Sequence, residues 1–200
     1  MAAAGNGMVA FLIAVAASGV TPHDQMIYAT ASLMREAGYA EGQIDRATCL
    51  RNRLRELARA PGSVTEARQL IQEASTEPWY ALTYLPGPAS GNEDTALQDE
   101  AAFEWDLDVT SALAQLRIPV LLFHGETDRW VPIETSIRAW RTALNQQREC
   151  LSLASLPGCG HFPTLAADPS DLDEAGPISP AYEQLLADWL RPICMTSGPR

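Results

Sequence analysis

Two side chains stand out for what their types and spacing can do together: the carboxylate of Asp128 and the imidazole of His161, 33 residues later. A carboxylate that holds one ring nitrogen of a histidine leaves the other nitrogen to take a proton, the working arrangement of a general base. Asp128 lies in Gly125-Glu-Thr-Asp-Arg-Trp-Val-Pro and His161 in Leu156-Pro-Gly-Cys-Gly-His-Phe. Glu126 is the rival acid, two residues earlier. The glycines at 158 and 160 let the histidine loop turn tightly. Other chemistries find less support. The four cysteines, Cys49, Cys150, Cys159 and Cys194, form no Cys-x-x-Cys pair and no zinc spacing, and no Gly-x-Gly-x-x-Gly cradles a phosphate. No metal or cofactor is therefore expected, and the thiols read as free groups in a reducing compartment.

The elements around this pair decide whether it can form. Five of the six residues 118–123 are apolar, and the run breaks at Gly125, which suits a strand buried on both faces of a parallel sheet. Residues 150–156 read as a second strand. Asp128 and His161 each follow such a strand, on the carboxyl edge where open α/β sheets collect catalytic side chains. Parallel neighbours place both loops on one edge, so the two side chains are predicted to reach hydrogen-bonding distance.

Composition sets wider limits. Two hundred residues, 46% hydrophobic and 20% charged, describe a globular chain of one domain or slightly more. A net charge of −11 argues against nucleic acid as a partner, because counterion displacement from phosphates needs a positive field. The apolar stretch 8–20 is shorter than the roughly 20 residues of a membrane helix and has no Lys or Arg before it. It is expected to be a buried strand at 9–16 rather than a signal peptide. No membrane association is expected, and a cytoplasmic location is.

Residues 1–7 read as a flexible start. Thr21-Pro22 signals a helix beginning, with Met26, Ile27, Leu33, Met34 and Ala37 on one face, Thr30 between them, and Gly38 at its end. His23 and Asp24 fall in its first turn, where they could serve as a second acid and base, although the helix dipole alone accounts for an acidic residue. A second helix is predicted over 41–60, with Ile44, Leu50, Leu54 and Leu57 inward and Arg46, Arg51, Arg53, Arg55 and Arg59 on a solvated face. Pro61-Gly62 breaks it, and Ser63-Val-Thr-Glu66 has the capping-box pattern for a third helix ending near Ala74. A weakly patterned stretch over 77–108 carries Trp79, Tyr80, Tyr84, Phe103 and Trp105, read as anchoring this segment to the core in preference to lining a pocket, and a loop at 86–94 read as a hinge or disordered tip. Further helices are predicted over 109–116, capped by Asp108, and over 133–144, with Ile137, Trp140 and Leu144 inward. An acidic loop at 168–176 precedes a last helix, from Ser179-Pro180 to a stop at Pro192, with Tyr182, Leu185, Leu186 and Trp189 inward.

In this order, strand, Gly-Glu-Thr-Asp-Arg-Trp-Val-Pro, helix, strand and Pro-Gly-Cys-Gly-His, the chain resembles the carboxyl-terminal portion of an α/β-hydrolase. The resemblance puts Asp128 at the family's triad acid, in preference to Glu126, and His161 at its triad histidine. Residues 1–20 then match the family's sixth strand, 21–108 its helical cap and connecting segment, and 109–200 the carboxyl-terminal core. The implied fold is α/β: about three parallel strands with flanking helices, plus the cap.

The family's nucleophile elbow, Gly-x-Ser-x-Gly, occurs nowhere in the chain; Ser18 and Ser90 each have a glycine on one side only. The resemblance therefore implies a serine hydrolase of ester or amide bonds, inactive alone, whose small-molecule substrate requires an amino-terminal half. Dehalogenase and epoxide-hydrolase variants, with Asp as nucleophile, stay open because that position is absent. The alternative is a non-catalytic remnant or binding module. Without strands one to five, the strand at 9–16 should be a bare apolar edge, and the isolated chain should associate.

Overall fold

The computed structural model describes residues 8–60, 63–85, 107–144, 150–165 and 176–196. Two compact units emerge, one of Met1–Val20 with Asp108–Arg200 and one of Thr21–Leu107. Outside the described residues lie the stretch 1–7, the break at 61–62, the loop at 86–94 with Ser90, Phe103, Trp105 and all but the end of the acidic loop.

The first unit is built on an open three-stranded parallel sheet in the order β1 (Leu12–Val15), β2 (Val120–Gly125), β3 (Leu151–Leu156). All six residues of β2 are buried because both its faces are covered. Val120 and Leu122 point to one side, against Leu113 and Leu116 and against Trp140 and Leu144. Leu121 and Phe123 point to the other, against Leu156 and Cys159, with Tyr182, Leu186 and Trp189 behind them. The two-residue period of a strand converts one apolar run into two packed faces.

β1 is shorter and less covered than the buried strand expected over 9–16. Its ladder begins with the Leu12 amide on the Pro119 carbonyl and ends with the Ala16 amide on the Phe123 carbonyl, 2.9 Å each. Pro119 has no N–H to carry the pairing further back, and Ala16 leaves extended geometry with φ 49°. As an outer strand β1 is only partly buried, and Val15 is 36% exposed. Its outer edge has no partner strand among the described residues.

Three helices flank this sheet. Asp108 caps the first, Val109–Leu113, by accepting the Thr110 amide at 2.9 Å. Hydrogen bonds from the Thr110 hydroxyl and then its amide hold the Asp108 carboxyl below the usual range. The helix is shorter than expected because Gln115 and Leu116 close with i→i−3 turns. The second, Ile133–Ala143, packs close to the loop after β1: Trp140 Nε1 donates to the Ala17 carbonyl at 3.3 Å. The third, Pro180–Thr196, does not stop at Pro192. Near the helix end, that proline forgoes a single bond to the Asp188 carbonyl, while Tyr182, Leu186 and Trp189 anchor the preceding turns. Leu185, expected inward, sits at the margin of their stripe and is 40% exposed.

The second unit is helical: α1 (Pro22–Glu36), α2 (Glu41–Ala58), α3 (Val64–Ala74) and a 3-10 turn at Tyr80–Thr83. Thr21 caps α1 by accepting the Asp24 amide at 3.1 Å. Gly38, with φ 82°, ends it in a Schellman turn, the Tyr39 amide reaching the Met34 carbonyl and the Gly38 amide the Arg35 carbonyl. Of the face expected to be inward, Thr30 and Met34 are buried, but Ala37 is exposed. The core joins Met34 to Ile44, Leu50, Leu54 and Leu57, Ile71, and the aromatic pair Trp79 and Tyr80. Trp79 and Tyr80 are therefore part of this unit's own core, whereas Tyr84, expected with them as an anchor, is exposed.

Two expectations fail here. Arg51 is buried rather than solvated, its Nε donating to Thr30 Oγ1 at 2.9 Å and its Nη2 to the Thr83 carbonyl. It stands seven residues after Ile44 and so on the same helical stripe, and the two threonines supply the acceptors that make burial tolerable. The capping box at Ser63 does not form: its hydroxyl donates to the Leu57 and Ala60 carbonyls, and Glu66 pairs with Arg53 instead.

Candidate active site

Asp128 and His161 meet. His161 Nδ1 lies 3.2 Å from Asp128 Oδ2, at the carboxyl ends of adjacent parallel strands β2 and β3. The other carboxylate oxygen, Oδ1, accepts the amides of Trp130 at 2.7 Å and Val131 at 3.0 Å. This local turn buries the Asp128 side chain completely and aims Oδ2 at the imidazole. Oδ2 is an acceptor, so a neutral His161 bonded to it carries its proton on Nδ1. Nε2 keeps its lone pair and has no hydrogen-bond partner among the described residues. The imidazole is 27% exposed and stands between two aromatic rings, Phe162 edge-on at 5.4 Å and Trp130 at 6.3 Å.

The approach of the two loops depends on a missing side chain. A Cβ on Gly125 would lie 2.0 Å from the Gly160 carbonyl oxygen and 2.4 Å from that of Cys159. With no Cβ there, the ladder runs on past β2: the Glu126 amide donates to the Leu156 carbonyl at 3.2 Å. Thr127 then donates twice to the Cys159 carbonyl, through its amide at 3.1 Å and its hydroxyl at 3.0 Å. Of the two glycines before the histidine, Gly158 takes up the turn with φ 70°; Gly160 is buried and has no positive φ.

The rival residues go elsewhere. Glu126 is exposed and its Oε1 is 3.5 Å from Ser155 Oγ. His23 is buried in the helical unit, its Nε2 bonded to Asn52 Oδ1 at 2.8 Å, while Asp24 accepts the Thr21 hydroxyl at 2.7 Å. The two form no acid–base pair. Ser18 Oγ accepts the Val20 amide at 3.2 Å. Among the described residues no three His, Cys, Asp or Glu side chains gather as a metal site would require, and no helix is long and apolar enough to cross a membrane. Cys49, Cys150 and Cys159 are free thiols.

Sequence reasoning passed over His124. It is 3% exposed in β2, on the Val120 and Leu122 side by strand parity, and neither ring nitrogen has a partner among the described residues. Burial lowers its proton affinity, and the nearby Asp128 charge only partly opposes this. Counting two residues on from Leu122 would have placed it inside.

Fold and site together define an α/β protein with an oriented histidine at the carboxyl edge of an open parallel sheet. Compared with known protein families, curated proteins and solved structures, the chain matches none.

Proposed function

We propose that this chain is the carboxyl-terminal portion of an α/β-hydrolase-like enzyme of ester or amide bonds, with Asp128 and His161 as the acid and base of a Ser-Asp-His triad. The observation that carries this reading is the 3.2 Å contact between His161 Nδ1 and Asp128 Oδ2, with Nε2 left over. In this reading Nε2 takes the proton of a serine hydroxyl, and Asp128 stabilises the imidazolium that results. The helical unit corresponds to the family's cap, and the nucleophile and oxyanion amides come from an amino-terminal half. The second reading is a non-catalytic binding module derived from such an enzyme.

Removing a triad nucleophile costs on the order of 10⁶ in turnover in a well-studied protease, and missing oxyanion donors remove most of the activity left. The purified chain should neither label with a serine-directed fluorophosphonate nor hydrolyse p-nitrophenyl esters above a His161→Ala control. Adding an amino-terminal half that carries Gly-x-Ser-x-Gly should restore both. Stoichiometric labelling of the chain alone, mapped to one of its own serines, would sink the fragment reading. A docked but inert pair would leave the binding module.

A further inference from the structure

We propose that Thr127 is the positioning residue of the Asp128–His161 pair, acting through its hydroxyl on the Cys159 carbonyl. The proposal rests on the reading of His161 as a base and names what holds that base in place. The histidine arrives on a permissive backbone, Pro157-Gly-Cys-Gly-His, where two glycines flank one cysteine. Left to itself, such a segment would sample many directions for the imidazole. Thr127 is the immediate neighbour of Asp128, and Cys159 stands two residues before His161.

Two donors from one residue converge on one carbonyl oxygen, the amide at 3.1 Å and Oγ1 at 3.0 Å. Any residue but proline supplies the amide; only Thr or Ser supplies the hydroxyl. A carbonyl held from two directions fixes the plane of the Cys159–Gly160 peptide, and the next carbonyl is confined by its close approach to Gly125. The direction in which His161 leaves Gly160 is then set. Cys159 contributes its carbonyl and not its thiol, since its side chain is buried in the core with Leu121, Phe123 and Leu156. Thr127 itself is exposed, so substitution there opens no cavity.

The test reads the imidazole directly, by ¹H–¹⁵N NMR of His161 in the full chain. Thr127→Val keeps the shape and the amide but removes the hydroxyl. It should speed solvent exchange of the Nδ1 proton about fivefold, the population change that one ordinary hydrogen bond represents, and raise the share of the Nε2–H tautomer. Thr127→Ser should keep wild-type values, and the melting temperature of Thr127→Val should fall by no more than the roughly 2–4 °C that one hydrogen bond represents. Thr127→Ala serves the same comparison if the branched apolar side chain disturbs the turn. Wild-type exchange and tautomer in the hydroxyl-free variants would overturn the proposal. So would a Ser variant that behaves like Val. Neither result depends on turnover, so this proposal can fail while the triad reading stands; a failed complementation would remove the base reading and leave Thr127 as a residue that orients the ring.

Discussion

The Cα of Gly125 faces the carbonyl of Gly160 so closely that a methyl group would sit 2.0 Å from its oxygen. Both are backbone positions, so no side-chain rotation relieves the clash, and the acid and histidine loops must move apart. Gly125→Ala should therefore lower stability by about 1–3 kcal/mol, as overpacking does, and break the His161–Asp128 contact. Gly42, in the first turn of α2, is the control, because a Cβ there meets nothing within 4 Å. Gly42→Ala should stabilise by about 0.5–1 kcal/mol. Urea melts of both variants check the contrast, and equal effects of the same sign would contradict the packing argument.

Asp128 serves its own loop as well as the histidine, and substitutions can separate the two roles. In Asp128→Asn the amide oxygen can still accept the Trp130 and Val131 amides, which leaves an NH₂ facing His161 Nδ1. Two donors cannot share that position, so the proton should move to Nε2 and the lone pair to Nδ1, the wrong tautomer for a base. The fold should survive. Asp128→Ala orphans both amides and should cost about 1–3 kcal/mol. ¹⁵N shifts of the imidazole distinguish the tautomers, and an Asn variant that keeps its proton on Nδ1 would mean that Asp128 does not orient the ring.

His124 should make the first unit acid-sensitive. Burial holds its folded-state proton affinity below the ordinary value, near 6.5. Above about pH 6.5 both folded and unfolded chains carry it neutral, and it adds no pH dependence. As pH falls through that value the unfolded chain takes the proton while the folded chain does not, so stability declines until the lowered folded value is reached. His124→Leu removes this decline, and at neutral pH it should be no less stable than wild type, because neither ring nitrogen has a partner to lose among the described residues. Urea melts at pH 7.5, 6.5 and 5.5 should show the variant gaining on wild type as the pH drops. Parallel curves would put the acid sensitivity elsewhere.

What was legible beforehand was what neighbouring residues decide together. The cap at Thr21, the turn at Gly38 and the strand over Val120 to Phe123 follow from local propensity and an unbroken apolar run. The meeting of Asp128 with His161 followed from two strands, provided they were parallel neighbours. Pairing, however, cut β1 back to Leu12–Val15, because Pro119, just before the partner strand, had no amide to offer and Ala16 leaves extended geometry. Pro192 misled in the same way, since packing by Tyr182, Leu186 and Trp189 outweighs one lost hydrogen bond.

The sequence by itself determined which residues could be strands, helices and caps, and which carboxylate and imidazole could act together. Tertiary structure alone decided which buried polar side chains found partners distant in sequence. Arg51 is buried because Thr30 and Thr83, 21 and 32 residues away in sequence, supply its acceptors. His124 is buried with none among the described residues, and no local pattern separates the two cases. The roles of Gly125 and Thr127 were hidden for the same reason: each acts on the backbone of Cys159 or Gly160, on the next strand's loop. Whether a buried polar group is tolerated, or a glycine required, depends on atoms that only folding brings within a few ångströms.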